Sequence, residues 1–357
     1  MTTTSSHAHD AVLAGLWRSA RAGRLPHALL LHGPEGIGKF AAALRLVQGL
    51  LCARPGEDGP CETCGPCKRV RAGQHLDLFV IDVAHEDVPE KDRQERIRID
   101  RLVHREGSDW DGPVVEDFLA LRPSEGGWRA LVVRDAERLA HSQNEAQNAL
   151  LKVLEEPGES VLWLLVTSRP QSLLPTLRSR CVPVRLEALD VGAVERALDG
   201  VAGTPQRARS LARWSAGSPG RALELAARAA VELRELLADV WSGSLSPLAA
   251  AARAWELEGD FRGKTPSARQ RDRARALLEL ALELVADALR AQAGAPPAQL
   301  AHGDLFEEAG ALDAVRLRES LDALLVARAD LELNLDAAAV VDAGLLAVAA
   351  AGPGGVP

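Results

Sequence analysis

The chain has 357 residues, of which 47% are hydrophobic and 26% are charged, and its formal net charge is −8 at pH 7. These proportions are ordinary for a soluble globular protein, and the length allows two or three domains. The negative charge argues against a protein that grips nucleic acid over its whole surface, although a local basic face stays open. Without an apolar run of roughly 18 residues or the layout of a signal peptide, we expect a cytoplasmic protein with no membrane partner.

The first predicted elements are a strand at 28–32, a glycine-rich loop and a helix over 39–51. The loop carries the residues of a phosphate-binding loop: Gly33, Gly36, Gly38 and Lys39. In such a loop the lysine reaches the β- and γ-phosphates, and a Ser or Thr directly after it binds Mg²⁺. Here Phe40 follows the lysine, and a phenyl ring cannot bind a metal. An ordinary glycine-rich turn is the alternative, which the flanking strand and helix disfavour.

Four closely spaced cysteines come next: Cys52, Cys61, Cys64 and Cys67. Cytosolic thiols stay reduced, so a close cluster of them binds metal more often than it forms disulfides. Four thiolates predict a closed tetrahedral zinc site with a structural role. Four unrelated buried cysteines are one alternative, which the turn-rich spacing disfavours. An iron–sulfur cluster is the other, but Arg71 stands where the ferredoxin pattern needs its next cysteine.

Three further strands are predicted by the apolar runs at 76–82, 129–133 and 161–168. The last run is almost continuously apolar, which is typical of a parallel strand covered on both faces. A helix is predicted over 144–156 and ends at Pro157, whereas residues 84–113 have the character of a loop. Alternating strands and helices over the first 185 residues predict an α/β fold with a doubly wound parallel sheet.

The acidic residue that would hold Mg²⁺ is missing from its expected place at the end of the strand at 129–133. Arg134 stands there, and Asp135 follows it. Replacement of both expected metal ligands, at positions 40 and 134, indicates a site relieved of ATP hydrolysis. We therefore do not expect this chain to bind ATP or ADP.

A basic motif, Ser179, Arg180 and Cys181, ends a short predicted helix that begins after Leu174. A surface arginine is usually a solvated charge. The functional interpretation of Arg180 is an arginine finger, a planar cation offered to the γ-phosphate of a neighbouring subunit's ATP.

From Glu187 onward, Ala, Leu, Arg and Glu recur at helical spacing with Gly/Ser/Thr-Pro breaks, which predicts an all-α region. We expect a small bundle followed by a larger one. The tail at 351–357 has the composition of a disordered segment.

The sequence resembles the delta-prime subunit of the bacterial DNA polymerase III clamp loader, a member of the AAA+ superfamily. The resemblance covers residues 25–225 in register and weakens beyond them, apart from 331–335. One departure is an insertion at 104–113. The segments that carry the resemblance are the loop through Lys39, the cysteines from 52 to 67, and the segments 75–78, 97–100, 125–128, 147–157, 174–181 and 217–222.

The resemblance implies an AAA+ P-loop domain at 1–185 with a zinc module at 52–67, a helical lid domain at 186–231 and a helical collar domain at 232–350. It also implies a rigid stator that does not hydrolyse ATP. Arg180, flanked by Ser179 and Cys181, would enter the ATP site of an adjacent gamma or tau motor subunit.

The implied partners are gamma or tau, the delta subunit, and, through the complex, the sliding clamp and primer-template DNA. Ser168 matches the family's first sensor position and Arg221 its second. Because other residue types replace the expected Mg²⁺ ligands, we expect Ser168, Arg221 and Asp135 to be vestigial.

Two other classes of protein stay open. An ATP-hydrolysing motor of the gamma or tau type shares the cysteine segment and the Ser-Arg-Cys motif, but Phe40 and Arg134 argue against it. A P-loop nucleotide kinase would need an acidic Mg²⁺ residue, and the long helical C-terminal region argues against it as well.

Overall fold

The computed structural model describes residues 9–57, 59–82, 97–125, 127–139, 144–155, 158, 160–263, 265–306, 313–333 and 335–353. The chain divides into two compact units, Met1–Leu189 and Asp190–Pro357, and each unit has its own hydrophobic core. In these described ranges, no helix combines the length and apolarity needed to cross a membrane.

The described part of the first unit contains a five-stranded parallel sheet with the strand order β2-β3-β4-β1-β5. The strands are β1 (Ala28–His32), β2 (Leu78–Ile81), β3 (Arg129–Val133), β4 (Val161–Thr167) and β5 (Val182–Arg185). The predicted bounds of β1 and β3 are confirmed, and β2 is shorter than the predicted 76–82. Every residue of β3 and β4 is buried, as expected for strands covered on both faces.

The helices of this unit are α1 (Asp10–Arg21), α2 (Lys39–Leu50), α3 (Gly65–Arg71), α4 (Val115–Ala120), α5 (Glu145–Glu155) and α6 (Pro175–Ser179). Alternate residues of a strand point to opposite faces of a sheet. Leu29 and Leu31 accordingly join one buried cluster, with residues of α1 and α2, while Ala28 and Leu30 join the other, with residues of α5 and α6. The predicted helix stop at Pro157 lies outside the described residues.

The regular elements described in the second unit are helical, which confirms the all-α expectation. They are α7 (Val191–Ala197), α8 (Pro205–Trp214), α9 (Pro219–Ala227), α10 (Ala230–Ser242), α11 (Pro247–Glu256), α12 (Pro266–Gln292), α13 (Ala314–Glu332) and α14 (Ala337–Ala351), with two short 3-10 turns before α13. Of the predicted tail, residues 354–357 lie outside the described part of the chain.

The breaks noted in the sequence are helix starts with a common construction. Thr204, Ser218, Ser246 and Thr265 each accept a backbone N–H bond of 3.1–3.3 Å at a helix N-terminus, and proline is the first helical residue each time. A hydroxyl cap satisfies an N–H that has no partner inside the helix, and proline lacks the N–H that would need one. The local sequence therefore fixes where these helices begin.

Candidate functional site

The glycine-rich loop connects β1 to α2 and has the backbone of a phosphate-binding loop. Gly36 and Gly38 have φ values of 73° and 93°, a region that residues with a side chain rarely adopt. At Gly33 a Cβ atom would lie 2.1 Å from the carbonyl oxygen of Leu186. The predicted glycines are therefore needed by the conformation of this loop.

Lys39 begins α2, and its ammonium group is held by oxygens of the chain itself. Its Nζ donates to the carbonyl of Pro34 at 2.6 Å and to the Ser168 hydroxyl at 3.0 Å. Burial lowers the pKa of Lys39, against the opposing charges of Glu137 and Asp135. The structure thus brings Ser168 and Asp135 close to Lys39.

Phe40 and Arg134, the residues that replace the expected metal ligands, touch each other. The Arg134 guanidinium carbon lies 5.0 Å from the centre of the Phe40 ring. Its Nη1 also donates to the Asp82 carboxylate at 2.8 Å. Asp82 directly follows β2, and the sequence analysis gave it no role, although an acidic residue at a strand end was a usable signal.

Asp135 retains a carboxylate beside the loop, in an unusual backbone conformation with φ of 50°. Burial raises the pKa of Asp135, and the Arg138 guanidinium lies 3.8 Å from the carboxylate. Its neighbour Glu137 accepts a 2.5 Å hydrogen bond from Thr167 at the end of β4. The carboxylates near the lysine are therefore engaged by groups of the protein.

His9, directly before α1, contacts the loop, and no helix was predicted from the sequence at this place. Burial lowers the pKa of His9, so its ring is neutral near pH 7. Its Nε2 lies 2.9 Å from the carbonyl oxygen of Ile37, which makes the Nε2–H the donor of this hydrogen bond. The four-residue spacing of the buried Leu13 and Trp17 was the available sequence signal for α1.

The four clustered cysteines converge. Their Sγ atoms all lie within 4.8 Å of one another, and those of Cys52 and Cys64 are 3.9 Å apart. Zinc–thiolate bonds of about 2.3 Å in a tetrahedron would separate the sulfurs by about 3.8 Å. The backbone N–H groups of Arg54 and Cys61 point at the Cys52 sulfur from 3.3 and 3.4 Å. These four residues fit a metal ion with no open coordination position.

The acidity of the thiols differs within this cluster and outside it. Backbone N–H groups of Cys64 and Thr63 lower the pKa of Cys61 to about 5, so this sulfur is a thiolate at neutral pH. Burial raises the pKa of Cys67. Cys181 stands apart from the cluster, and burial raises the pKa of its thiol to about 11.

Arg45, a buried residue of α2, joins the cysteine module to the N-terminal helix. Its guanidinium bonds both carboxylate oxygens of Asp10 in α1, at 2.5 and 2.8 Å, and Glu62 at 2.8 Å. Glu62 lies between Cys61 and Cys64. The ion pairs therefore connect the cysteine module to α1. His9, directly before α1, in turn contacts the phosphate-binding loop.

Arg180 directly follows α6 and is exposed to solvent. Its Nη2 bonds Glu155 at 2.5 Å and its Nη1 bonds the carbonyl of Thr176 at 3.3 Å. The hydroxyl of Ser179 bonds the same carbonyl at 2.9 Å, whereas Cys181 is buried. The motif thus presents its arginine at the surface, next to one carboxylate of its own chain.

Arg221 lies in α9 of the second unit, where it forms an ion pair with Glu283 of α12. Its backbone N–H bonds the Ser218 hydroxyl at 3.1 Å. Arg221, which the resemblance places at the family's second sensor position, is therefore engaged by a carboxylate of this chain.

In sequence the chain is similar to subunits of DNA polymerase III. A family model described as "DNA polymerase III, delta subunit" matches residues 8–190. The chain is 37% identical over 156 residues to DNA polymerase III subunit delta' of Pseudomonas aeruginosa, which is 44% of this chain and 42% of that protein. Over 211 residues it is 35% identical to subunit delta' of Escherichia coli, 58% of this chain and 56% of that one.

A relative named as a different subunit is also similar. The chain is 32% identical over 220 residues to subunit tau of Escherichia coli, which is 60% of this chain and 31% of tau. Its matches thus span less than two thirds of these relatives. A solved structure of a DNA polymerase III gamma subunit-related protein from Thermotoga maritima aligns with a TM-score of 0.52 and 18% identity over 95% of this chain and 99% of that one. At that identity the likeness concerns the fold alone.

The strand order, the loop after β1 and the helical region that follows the sheet are those of the AAA+ P-loop fold. The family match covers more than half of the chain. The chain belongs to the DNA polymerase III delta-prime family.

Proposed function

We propose that the chain is a clamp-loader subunit of DNA polymerase III that does not itself hydrolyse ATP and serves as the stator of the complex. One observation carries the proposal: Arg134 lies over the Phe40 ring, and these two residues stand at the sequence positions where Mg²⁺ ligands are expected. Phe40 stands in place of the expected hydroxyl residue, and Arg134 stands in place of the expected carboxylate. The divalent metal that phosphoryl transfer requires would therefore have neither of these two protein ligands.

The proposed contribution to catalysis is Arg180, offered to ATP held by a different polypeptide. An arginine finger has to stand free of its own core and keep a fixed position, and the exposed Arg180 next to a buried Cys181 meets both needs. In the isolated chain the Arg180 guanidinium is paired with the Glu155 carboxylate. At an interface, the γ-phosphate would take over from this carboxylate, exchanging one anion for another.

We propose zinc as the metal of the cysteine module. Four thiolates and no open position suit a structural zinc ion, which adds to folding free energy and needs no redox change. When bound, zinc would hold together the loop after α2 and the start of α3. The residues that hold it are Cys52, Cys61, Cys64 and Cys67.

The proposed partners are the gamma or tau motor subunits, whose ATP site Arg180 would complete, and the delta subunit. Contact with the sliding clamp and primer-template DNA would be made through the complex. We propose that residues 186–231 form a lid domain and 232–350 the collar that joins subunits. The vestigial nucleotide site would comprise the P-loop glycines with Lys39, Asp135 and Ser168.

The second candidate function is that of an ATP-hydrolysing motor, because the chain is also similar to tau. Purification of the full chain together with its gamma or tau and delta subunits tests the assignment. We expect a stable complex with DNA-stimulated ATPase activity, and no turnover by the isolated chain. Turnover by the isolated chain that disappears in Lys39→Ala would instead assign the motor function.

A further inference from the structure

An arginine-lined cavity of about 490 Å³ lies within the second unit, remote in sequence from the phosphate-binding loop. It opens between α8, the first turns of α10 and the turn around residue 303. The residues that line it include Gln206, Arg209, Ser210, Arg213, Trp214 and Arg234.

Arg234 is fixed in this cavity before any ligand arrives. Its guanidinium carbon lies 5.3 Å from the Trp214 ring centre, its Nε donates to Nδ1 of His302 at 3.3 Å, and its Nη2 bonds Asp304 at 2.5 Å. Among the described residues, its Nη1 has no hydrogen-bond partner. A guanidinium fixed on three sides loses little conformational entropy when it binds an anion.

The fully buried His302 supports this arrangement as a neutral ring. Burial and the nearby Arg234 lower the pKa of His302 to about 4. The lone pair of Nδ1 is therefore free to accept the bond from Arg234. The backbone N–H of His302 donates to the Asp287 carboxylate at 2.9 Å, which fixes the position of the residue.

The lining carries an excess of positive charge, with three guanidinium groups against the carboxylate of Asp304. Arg209 has a contact with Glu195 at 3.3 Å, and Asp304 is engaged by Arg234. Arg213 makes no hydrogen bond or ion pair with any described residue and is exposed. At least one guanidinium and one Nη group are thus available to a ligand.

The cavity suits a compact anion better than a nucleobase. Trp214 is only 5% exposed because it packs against Arg234 and His302, so its ring is not available for stacking on a base. Guanidinium groups pair well with phosphate oxygens, and several of them around one cavity favour a ligand with several negative charges over a single carboxylate. We propose that this cavity binds an oligophosphate group, such as pyrophosphate or the phosphates of a nucleotide. The site goes beyond the proposed stator role and does not depend on it.

The test is calorimetric titration of the full chain with inorganic pyrophosphate in EDTA, using Arg213→Ala, Lys39→Ala and, as a matched exposed arginine, Arg318→Ala. Charge-assisted hydrogen bonds are strong enough that Arg213→Ala should weaken binding about tenfold or more. Arg318→Ala should bind as the wild type does, and Lys39→Ala reports whether pyrophosphate instead occupies the phosphate-binding loop.

Four results would overturn the proposal. The first is no saturable binding at millimolar pyrophosphate. The second is a loss caused by Lys39→Ala and not by Arg213→Ala, which would assign the binding to the phosphate-binding loop. The third is equal losses in Arg213→Ala and Arg318→Ala, which would indicate diffuse attraction. The fourth is Arg213-dependent binding of a glutamate-rich peptide without binding of pyrophosphate, which would assign the cavity to peptide carboxylates.

Discussion

The guanidinium carbon of Arg134 lies 5.0 Å from the centre of the Phe40 ring, so the two residues that displace the metal ligands also stabilise each other. A cation over an aromatic face is worth about 0.5–1 kcal/mol where it is partly exposed, and Arg134 gains a second anchor in Asp82. The two substitutions therefore form one structural element, and reverting one of them leaves the other in place.

Because these two residues are coupled, substituting either one alone should not restore metal binding. Phe40→Thr alone and Arg134→Asp alone should show neither ATP turnover nor Mg²⁺-dependent nucleotide binding, because each keeps one obstacle to the metal. Only the double variant should gain Mg²⁺-dependent binding, measured by titration with a fluorescent ATP analogue with and without EDTA. Turnover by either single variant would show that the remaining residue does not block the metal.

The cysteine module should contain one equivalent of zinc and no iron, measured by elemental analysis of freshly purified protein. Cys64→Ser should release the metal and loosen residues 52–71 while the sheet stays folded by circular dichroism, because the sheet cores lie outside the module. Cys181→Ser is the control and should retain the metal, since Cys181 lies outside the cluster. Iron, or metal far below one equivalent, would contradict the zinc assignment.

The ion pairs of Arg45 should stabilise α1 against the cysteine module. Arg45→Met leaves the carboxylates of Asp10 and Glu62 without their shared partner. We expect the free energy of unfolding to fall by about 1–3 kcal/mol and amide exchange in α1 to become faster. Arg71→Met removes a more exposed ion pair with the same Glu62 and should lower the free energy of unfolding by less than about 1 kcal/mol. Equal exchange in α1 for the two variants would remove Arg45 from this role.

How much of the molecule the sequence predicts depends on how local each signal is. The apolar runs of β1 and β3 and the spacing of the four cysteines are local signals. The two strands are confirmed, and the four sulfurs lie close enough together to hold a metal ion. The edge strand β5 was missed because three of its four residues are exposed and Pro183 interrupts it.

The interactions that tie the candidate site together are remote in sequence. His9 and Ile37 are 28 positions apart, Arg45 and Asp10 are 35 apart, and Arg134 and Asp82 are 52 apart. A single sequence shows these residues but not their pairing, because the pairing is set by how the strands and helices assemble.

His302 should make the second unit sensitive to acid. Its pKa of about 4 in the folded state lies below the ordinary value of 6.5, so the unfolded chain binds the proton more readily and stability falls as the pH drops from 6.5 towards 4. The contribution lost between pH 7.5 and pH 5 is about 2 kcal/mol. In His302→Asn, whose amide oxygen can accept the bond from Arg234, urea unfolding should lose correspondingly less stability over this range. Equal losses in both proteins would contradict the prediction.

Arg180 is proposed to act on ATP bound by another subunit, and DNA-stimulated ATP hydrolysis by the assembled complex containing Arg180→Ala measures this role directly. Fingers of this kind are worth about 10³–10⁵ in rate at a single site, and the loss for the whole complex should be smaller because only the adjacent motor site lacks its arginine. Arg178→Ala, an exposed arginine two residues away, controls for loss of charge and should leave the rate unchanged. We expect a reduced rate and impaired clamp loading for Arg180→Ala in an intact complex. A wild-type rate in that complex would contradict this role and leave Arg180 as a solvated residue at a helix end.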